Sequence, residues 1–172
     1  MQTPPPLSHR DTISAMKEEI PRLRRFARYM TRDVDYADDL VQECLTRAIA
    51  NIESWQPGTN LRAWLFVILK NVFRNDKRRA LHDLAYRDGL KREAPLVTAP
   101  DQYNRLVFGE VQQAFLQLSE DHREVLMLIA VEGLRYEEAA AVLNISVGTV
   151  KSRLSRARTA LRALIDMPDE PE

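Results

Sequence analysis

The chain has 172 residues, enough for one medium domain or two small ones. Lys plus Arg and Asp plus Glu number 25 each, so any affinity for a polyanion must come from segregated charge and not from the zero net total. The single cysteine excludes an intramolecular disulfide framework, and no apolar run reaches membrane-spanning length or forms a signal-peptide core. A cytoplasmic protein without membrane insertion is therefore expected.

Few glycines and few β-branched runs point to an all-α chain, read as two small helical domains joined by a flexible linker. Residues 1–11, with Pro4, Pro5 and Pro6, read as a disordered lead. Ser14–Met30 carries a helical apolar stripe of Ile20, Leu23, Phe26, Ala27 and Met30; Pro21 either kinks this helix or marks its start. Asp33 or Asp35 can cap the next helix, Tyr36–Ile52, whose apolar positions are Leu40, Val41, Leu45, Ala48, Ile49 and Ile52. Asp39, Gln42 and Glu43 share its outer face. Acids early in a helix also suit its dipole and need no partner.

Ser54–Asn60 is a loop by its Pro57-Gly58 pair. Leu61–Arg79 forms a third helix, with Trp64, Leu65, Ile68, Leu69 and Val72 on the packed side, and Leu81–Tyr86 either continues it or frays. Trp64 and Phe73 could stack on bases, but both are expected in the core. Asn71, Arg74 and Asn75, at i, i+3 and i+4, make one polar face. Asn pairs with base edges, and Arg holds phosphate or stacks on a base. The first domain then spans 12–87. Residues 88–102, with Pro95 and Pro100, read as the linker.

The second domain, 103–165, opens on a helix through Val107, Val111, Phe115 and Leu118. Ser119 starts another, carrying Val125, Leu126, Leu128, Ile129 and Val131, and Gly133 ends it. Next comes a short helix, Tyr136–Leu143. Asn144 is suited to a left-handed turn, Ser146 to an N-cap, and a second helix runs from Val147 towards Leu164. Val150, Leu154, Ala157, Leu161 and Leu164 form the inner stripe of that helix. Gly148, Ser152, Ser155 and Thr159 lie opposite, flanked by Lys151 and Arg156. From Ser146 to Ile165 there are five basic residues (Lys151, Arg153, Arg156, Arg158, Arg162) and no acid. Two helices broken by a tight turn, the second basic and presenting short hydroxylated side chains, make a helix-turn-helix that places its second helix in the major groove. Residues 166–172 are an acidic, disordered tail.

An enzyme is not expected. His9, His82 and His122 fall in different elements without metal-ligand spacing, and neither a glycine-rich phosphate loop nor a nucleophile arrangement is present. Cys44, amid Leu40, Val41 and Leu45, reads as a small semi-buried hydrophobe and not as a redox switch.

The ordered segments DDLVQECLTRAI, NLRAWLFVILKNVFRNDKRR, LSEDHREVLMLIAVEGLRYEEAAAVL and ISVGTVKSRLSRAR resemble bacterial sigma factors of the extracytoplasmic-function type. RAWLFVILKN and EGLRYEEAAAVL are closest to their alphaproteobacterial general-stress subgroup. The resemblance implies a σ2-like first domain, a σ4-like second domain and no cofactor. It also implies partners: core RNA polymerase (the β′ clamp helices and the β flap), promoter DNA and an anti-sigma factor. Asp39, Gln42 and Glu43 would dock on the clamp. Ser54–Asn60 with Asn71, Arg74 and Asn75 would recognise the −10 element, including a base flipped from the opened strand. Lys151, Ser152, Ser155 and Arg156 would read the −35 element. Two competing functions are a sigma mimic that titrates an anti-sigma factor and a stand-alone operator-binding repressor. Such mimics carry a phosphoryl-receiver domain for which no suitable second half is seen, and a repressor leaves the first domain without a task.

Overall fold

Pro21 does not start the first helix; the helix runs through it. In the computed structural model, which describes residues 9–86 and 105–165, α1 spans His9–Thr31, five residues earlier than the apolar stripe suggested. Pro21 and Lys17 are both exposed, so the hydrogen bond that proline cannot donate is lost on the side where water replaces it. The early start brings Thr12 into the buried stripe, which also holds Met16, Leu23, Phe26 and Ala27, while Ile20 and Met30 are only half-buried.

Arg32, at φ 56°, turns the chain out of α1, and Asp33 caps α2 (Val34–Ala50) by accepting from the Tyr36 amide at 2.9 Å. This helix stops short of Ile52. Asn51 closes it: its amide and its side-chain Nδ2 both donate to the Arg47 carbonyl, at 3.0 and 2.8 Å. A single 3₁₀ turn, Ile52–Ser54, comes next. With the helix ended there, Ile49 is 48% exposed, not part of the packed stripe. Asn60 caps α3 (Leu61–Tyr86), which continues past Arg79.

These three helices pack on one another as the first of two units, Met1–Val97 and Thr98–Glu172. Its core holds Phe26 edge-on to Phe66 at 5.1 Å, with Leu23, Leu40, Leu65, Leu69 and Val72 fully buried. At the edge of that core, Arg62 donates twice to the Glu19 carboxylate, at 2.7 and 3.2 Å, tying α3 to α1. Burial and the hydrogen-bonded Asp76 carboxylate raise the Tyr36 phenol above its ordinary value, a polar tie that joins α2 to α3.

Cys44 is completely buried, and its Sγ–H donates to the Leu65 carbonyl at 3.4 Å. Burial pushes its pKa up to about 12, only partly offset by nearby Arg47. Since the thiolate is the reactive form, the thiol should resist disulfide reagents at neutral and mildly alkaline pH until the unit unfolds. Thiol titration with and without urea tests this; rapid labelling of the folded protein would contradict it.

In the second unit, α4 spans Arg105–Gln117 and α5 spans Glu120–Leu126. Ser119 caps α5, its Oγ accepting from the His122 amide at 3.4 Å. The helix then widens into a π turn, Met127–Val131, before Gly133 breaks it at φ 70°. The wider turn shifts the helical phase at its C-terminal end, so Val131 emerges 46% exposed where the regular spacing put it inside. Val111, one turn ahead of buried Ala114, is also 38% exposed. α6 (Tyr136–Leu143) and α7 (Val147–Ile165) complete the unit, whose core holds Val125, Leu128, Ala139, Val150, Leu154 and Ala157. Residues 1–8, the linker at 88–102, the start of the second domain at 103–104 and the tail at 166–172 lie outside the described residues. No helix among the described residues is long and apolar enough to cross a membrane.

Candidate nucleic-acid interfaces

The first interface is a recess of about 290 Å³ where the end of α2 meets the outer edge of α3. Arg47, Asn51 and Ser54 line one wall, and Trp64, Ile68 and Asn71 the other. The second wall is set by helix geometry: 64, 68 and 71 are at i, i+4 and i+7, one row beside the buried row of Leu65, Leu69 and Val72. Trp64 and Ile68 are therefore only half-buried, and the placement of Trp64 inside the core is corrected. The core tryptophan is Trp55, 7% exposed. Phe73, at 5%, is buried as expected.

The loop beside the recess is held by its own polar groups. Ser54 Oγ donates to the Asn51 carbonyl at 2.7 Å, and Thr59 Oγ1 to that of Gln56 at 2.7 Å. Gly58, at φ 89°, occupies a conformation that strains any side chain with a Cβ. On the rim, Arg74 Nη2 donates to Asn71 Oδ1 at 2.9 Å, which leaves the Asn71 NH₂ group as the donor for a ligand. Asn75 is half-buried one turn on from Asn71, so the three polar residues picked from the spacing share one edge. An aromatic wall, an amide donor and two guanidinium groups can together hold an unstacked base and its phosphate. Spacing along one helix singled out Asn71, Arg74 and Asn75. Arg47 and Asn51 come from another element, and nothing within α2 marks them.

Beside the recess, α2 exposes Asp39, Gln42 and Glu43 together, as their spacing required. Asp38 does not join them; it pairs with Arg24 of α1 at 3.1 Å.

The second interface is the outer face of α7. The turn that presents it is built as its residues suggest. Asn144 is left-handed (φ 56°, ψ 48°), the Ile145 amide donates back to the Ala140 carbonyl at 3.1 Å, and Ser146 Oγ accepts from the Thr149 amide at 3.1 Å. Lys151, Ser152, Ser155 and Arg156 are all exposed. Lys151 lies 5.8 Å from the centroid of the Tyr136 ring. Tyr136, Lys151, Ser155, Arg158 and Arg162 line a second shallow recess, which adds two arginines that the sequence reading counted as charge without a role. Their i, i+4, i+7, i+11 spacing from Lys151 is the signal that could have found them.

Arg153 belongs to the basic run but not to this face. Its Nη2 sits 2.7 Å from Asp121 Oδ2, fastening α7 to the start of α5. Arg153→Ala should loosen α7 by about 0.5–1 kcal/mol, read as faster amide exchange along the helix, and should weaken DNA binding much less than Arg156→Ala. Equal losses of DNA affinity would place Arg153 on the interface. His9 is exposed and His122 half-buried, the His82 side chain lies outside the described residues, and no metal-holding group of His, Cys, Asp and Glu occurs among the described residues.

Two family models match the chain: the Sigma2 domain of PhyR over residues 16–70 and Sigma-70, region 4 over residues 108–161. The chain is 47% identical over 158 residues to the ECF RNA polymerase sigma factor EcfG of Rhodopseudomonas palustris (strain TIE-1), covering 92% of this chain and 85% of that protein. Among solved structures it is similar to the sigma factor RpoE in complex with the anti-sigma factor NepR from Bartonella quintana. That match has 38% identity and a TM-score of 0.74, over 91% of this chain and 99% of that one. It is also similar to CnrH in complex with the cytosolic domain of CnrY, at 30% identity and a TM-score of 0.64, over 92% and 90% of the two chains.

Proposed function

Because the chain belongs to the extracytoplasmic-function sigma factors of bacterial RNA polymerase, we propose that its two units read two separate promoter elements while the first also holds the polymerase. The protein binds core RNA polymerase and directs promoter-specific initiation. Bond-making chemistry belongs to the polymerase, and the faces of this chain divide the recognition. Lys151, Ser152, Ser155 and Arg156 contact the −35 element in the major groove, with Arg158 and Arg162 on flanking phosphates. Asn71, Arg74, Asn75 and the recess beside them take the −10 strand. Asp39, Gln42 and Glu43 dock on the β′ clamp helices.

The observation that carries this reading is the recess itself, which brings a half-buried aromatic wall and an amide donor together at the margin of α3. Unstacking a base costs a few kcal/mol, so a pocket that receives the base traps the opened state. RpoE is solved in complex with the anti-sigma factor NepR and CnrH in complex with the cytosolic domain of CnrY; for this chain, an anti-sigma partner is expected to cover these faces when the protein is held inactive.

A second reading rests on the match of residues 16–70 to a PhyR domain: a mimic that binds the anti-sigma factor and neither polymerase nor DNA. Run-off transcription with core polymerase on a genomic promoter pool separates the two. New transcripts that vanish with Asn71→Ala or Lys151→Ala support the initiation factor. Binding to an anti-sigma protein without binding to core polymerase supports the mimic.

A further inference from the structure

Arg47 has two neighbours of different kinds. Its Nε lies 2.6 Å from Glu43 Oε1, and its side chain lines the recess opposite Asn71. Resting on the function proposed above, we propose that Arg47 couples polymerase docking to base capture: a cationic partner engaging Glu43 releases the Arg47 guanidinium to the strand in the recess.

The geometry gives the device a fixed base and a movable head. Asn51 donates twice to the Arg47 carbonyl, which anchors the backbone at the end of α2. Only the side chain is left to move. Glu43 and Arg47 are one turn apart, with side chains 47% and 36% exposed. Such an i,i+4 pair on a wet surface is weak and easily exchanged for another partner. While it stands, the carboxylate cancels the positive charge on the α2 wall of the recess, which then offers a phosphate little attraction. When a cation on the polymerase takes the carboxylate, the guanidinium charge is no longer offset and its Nε–H is freed where the strand enters. By linkage the effect runs both ways: a strand that holds Arg47 frees Glu43 for the polymerase.

The test uses the full chain and a fluorescent, randomised, short single-stranded DNA, with binding read by anisotropy over a range of salt. Glu43→Gln, which imitates loss of the pairing charge, should tighten binding about two- to threefold. It should also steepen the salt dependence by about one phosphate contact, a slope change near −0.7. Arg47→Ala should weaken binding, and Glu43→Gln should then add nothing to it. A Glu43→Gln gain that persists without Arg47, or that Asp39→Asn reproduces on the same face, would reduce the effect to general charge removal and overturn the coupling. No gain at all, including binding too weak to measure in both proteins, would also overturn it. Asn71→Ala serves as the separate check. If it leaves strand binding unchanged, the recess itself is misassigned and the function reading fails, whatever Arg47 does.

Discussion

Trp64→Ala should lower the occupancy of the opened promoter by roughly one to two orders of magnitude while leaving polymerase affinity within about twofold. Stacking of a base on an aromatic side chain contributes about 1–3 kcal/mol, and each 1.4 kcal/mol is a factor of ten. Trp64 supplies the aromatic wall of the recess and is only half-buried, so its removal takes away more of the ligand's surface than of the protein's core. Trp55 makes the control. It is buried, and its indole nitrogen has no hydrogen-bond partner among the described residues. Trp55→Ala should cost about 3–5 kcal/mol of stability. Trp55→Phe should cost far less, because the N–H it removes is unpaired. With two tryptophans in the chain, Trp55→Phe leaves Trp64 as the sole reporter. Its fluorescence should quench when single-stranded DNA enters the recess. An unaltered signal at saturating strand, together with normal opening by Trp64→Ala, would mean that no base stacks there.

Arg156→Ala should weaken recognition of the upstream element by about 1–3 kcal/mol if the guanidinium pairs with a guanine, and should relax specificity at that base. Its polymerase affinity should stay nearly unchanged, since the residue is exposed on α7 with no described ion pair. Lys151→Ala should act differently. As a point charge near Tyr136, it should lose affinity evenly across sequences and reduce the salt slope by about 0.9. Binding of base-substituted upstream duplexes over a salt series distinguishes the two. Equal loss of polymerase and DNA binding by Arg156→Ala would show that this face does not meet DNA.

The helix-turn-helix was the most legible part of the chain because its signals are local. Asn144 needs a left-handed turn and Ser146 needs a nearby amide, and the structure places both as written; of the α7 stripe it buries Val150, Leu154 and Ala157 and leaves Leu161 and Leu164 half-buried. Resemblance of four ordered motifs then supplied the family, which spacing alone does not give. The errors arose where tertiary or solvent effects compete with local rules. Of the two readings left open for Pro21, the structure takes the one inside the helix, because the hydrogen bond it deletes faces water; the start of α1, five residues early, is what the stripe missed. Val131 is turned outward by a π turn that no periodicity announces. Between the two tryptophans the apolar pattern chose Trp64 for the core, and the structure buries Trp55 instead. Trp64 shares a helical row with Ile68 and Asn71 at the margin of α3, and only the end of α2 makes that margin a recess. Arg47 was invisible for the same reason: a site built from two helices shows in sequence only the half that lies along one of them.

Whether two separable faces read two promoter elements is tested most directly by footprinting the reconstituted holoenzyme on one promoter recovered from the transcription pool, scoring upstream protection and downstream permanganate-reactive thymines in the same reaction. Asn71→Ala should keep the upstream protection and lose the reactive thymines. Arg156→Ala should lose the upstream protection first and regain opening at high holoenzyme concentration. If instead both variants lose both signals in parallel, or neither loses either, the two faces are not the separate readers assigned to them.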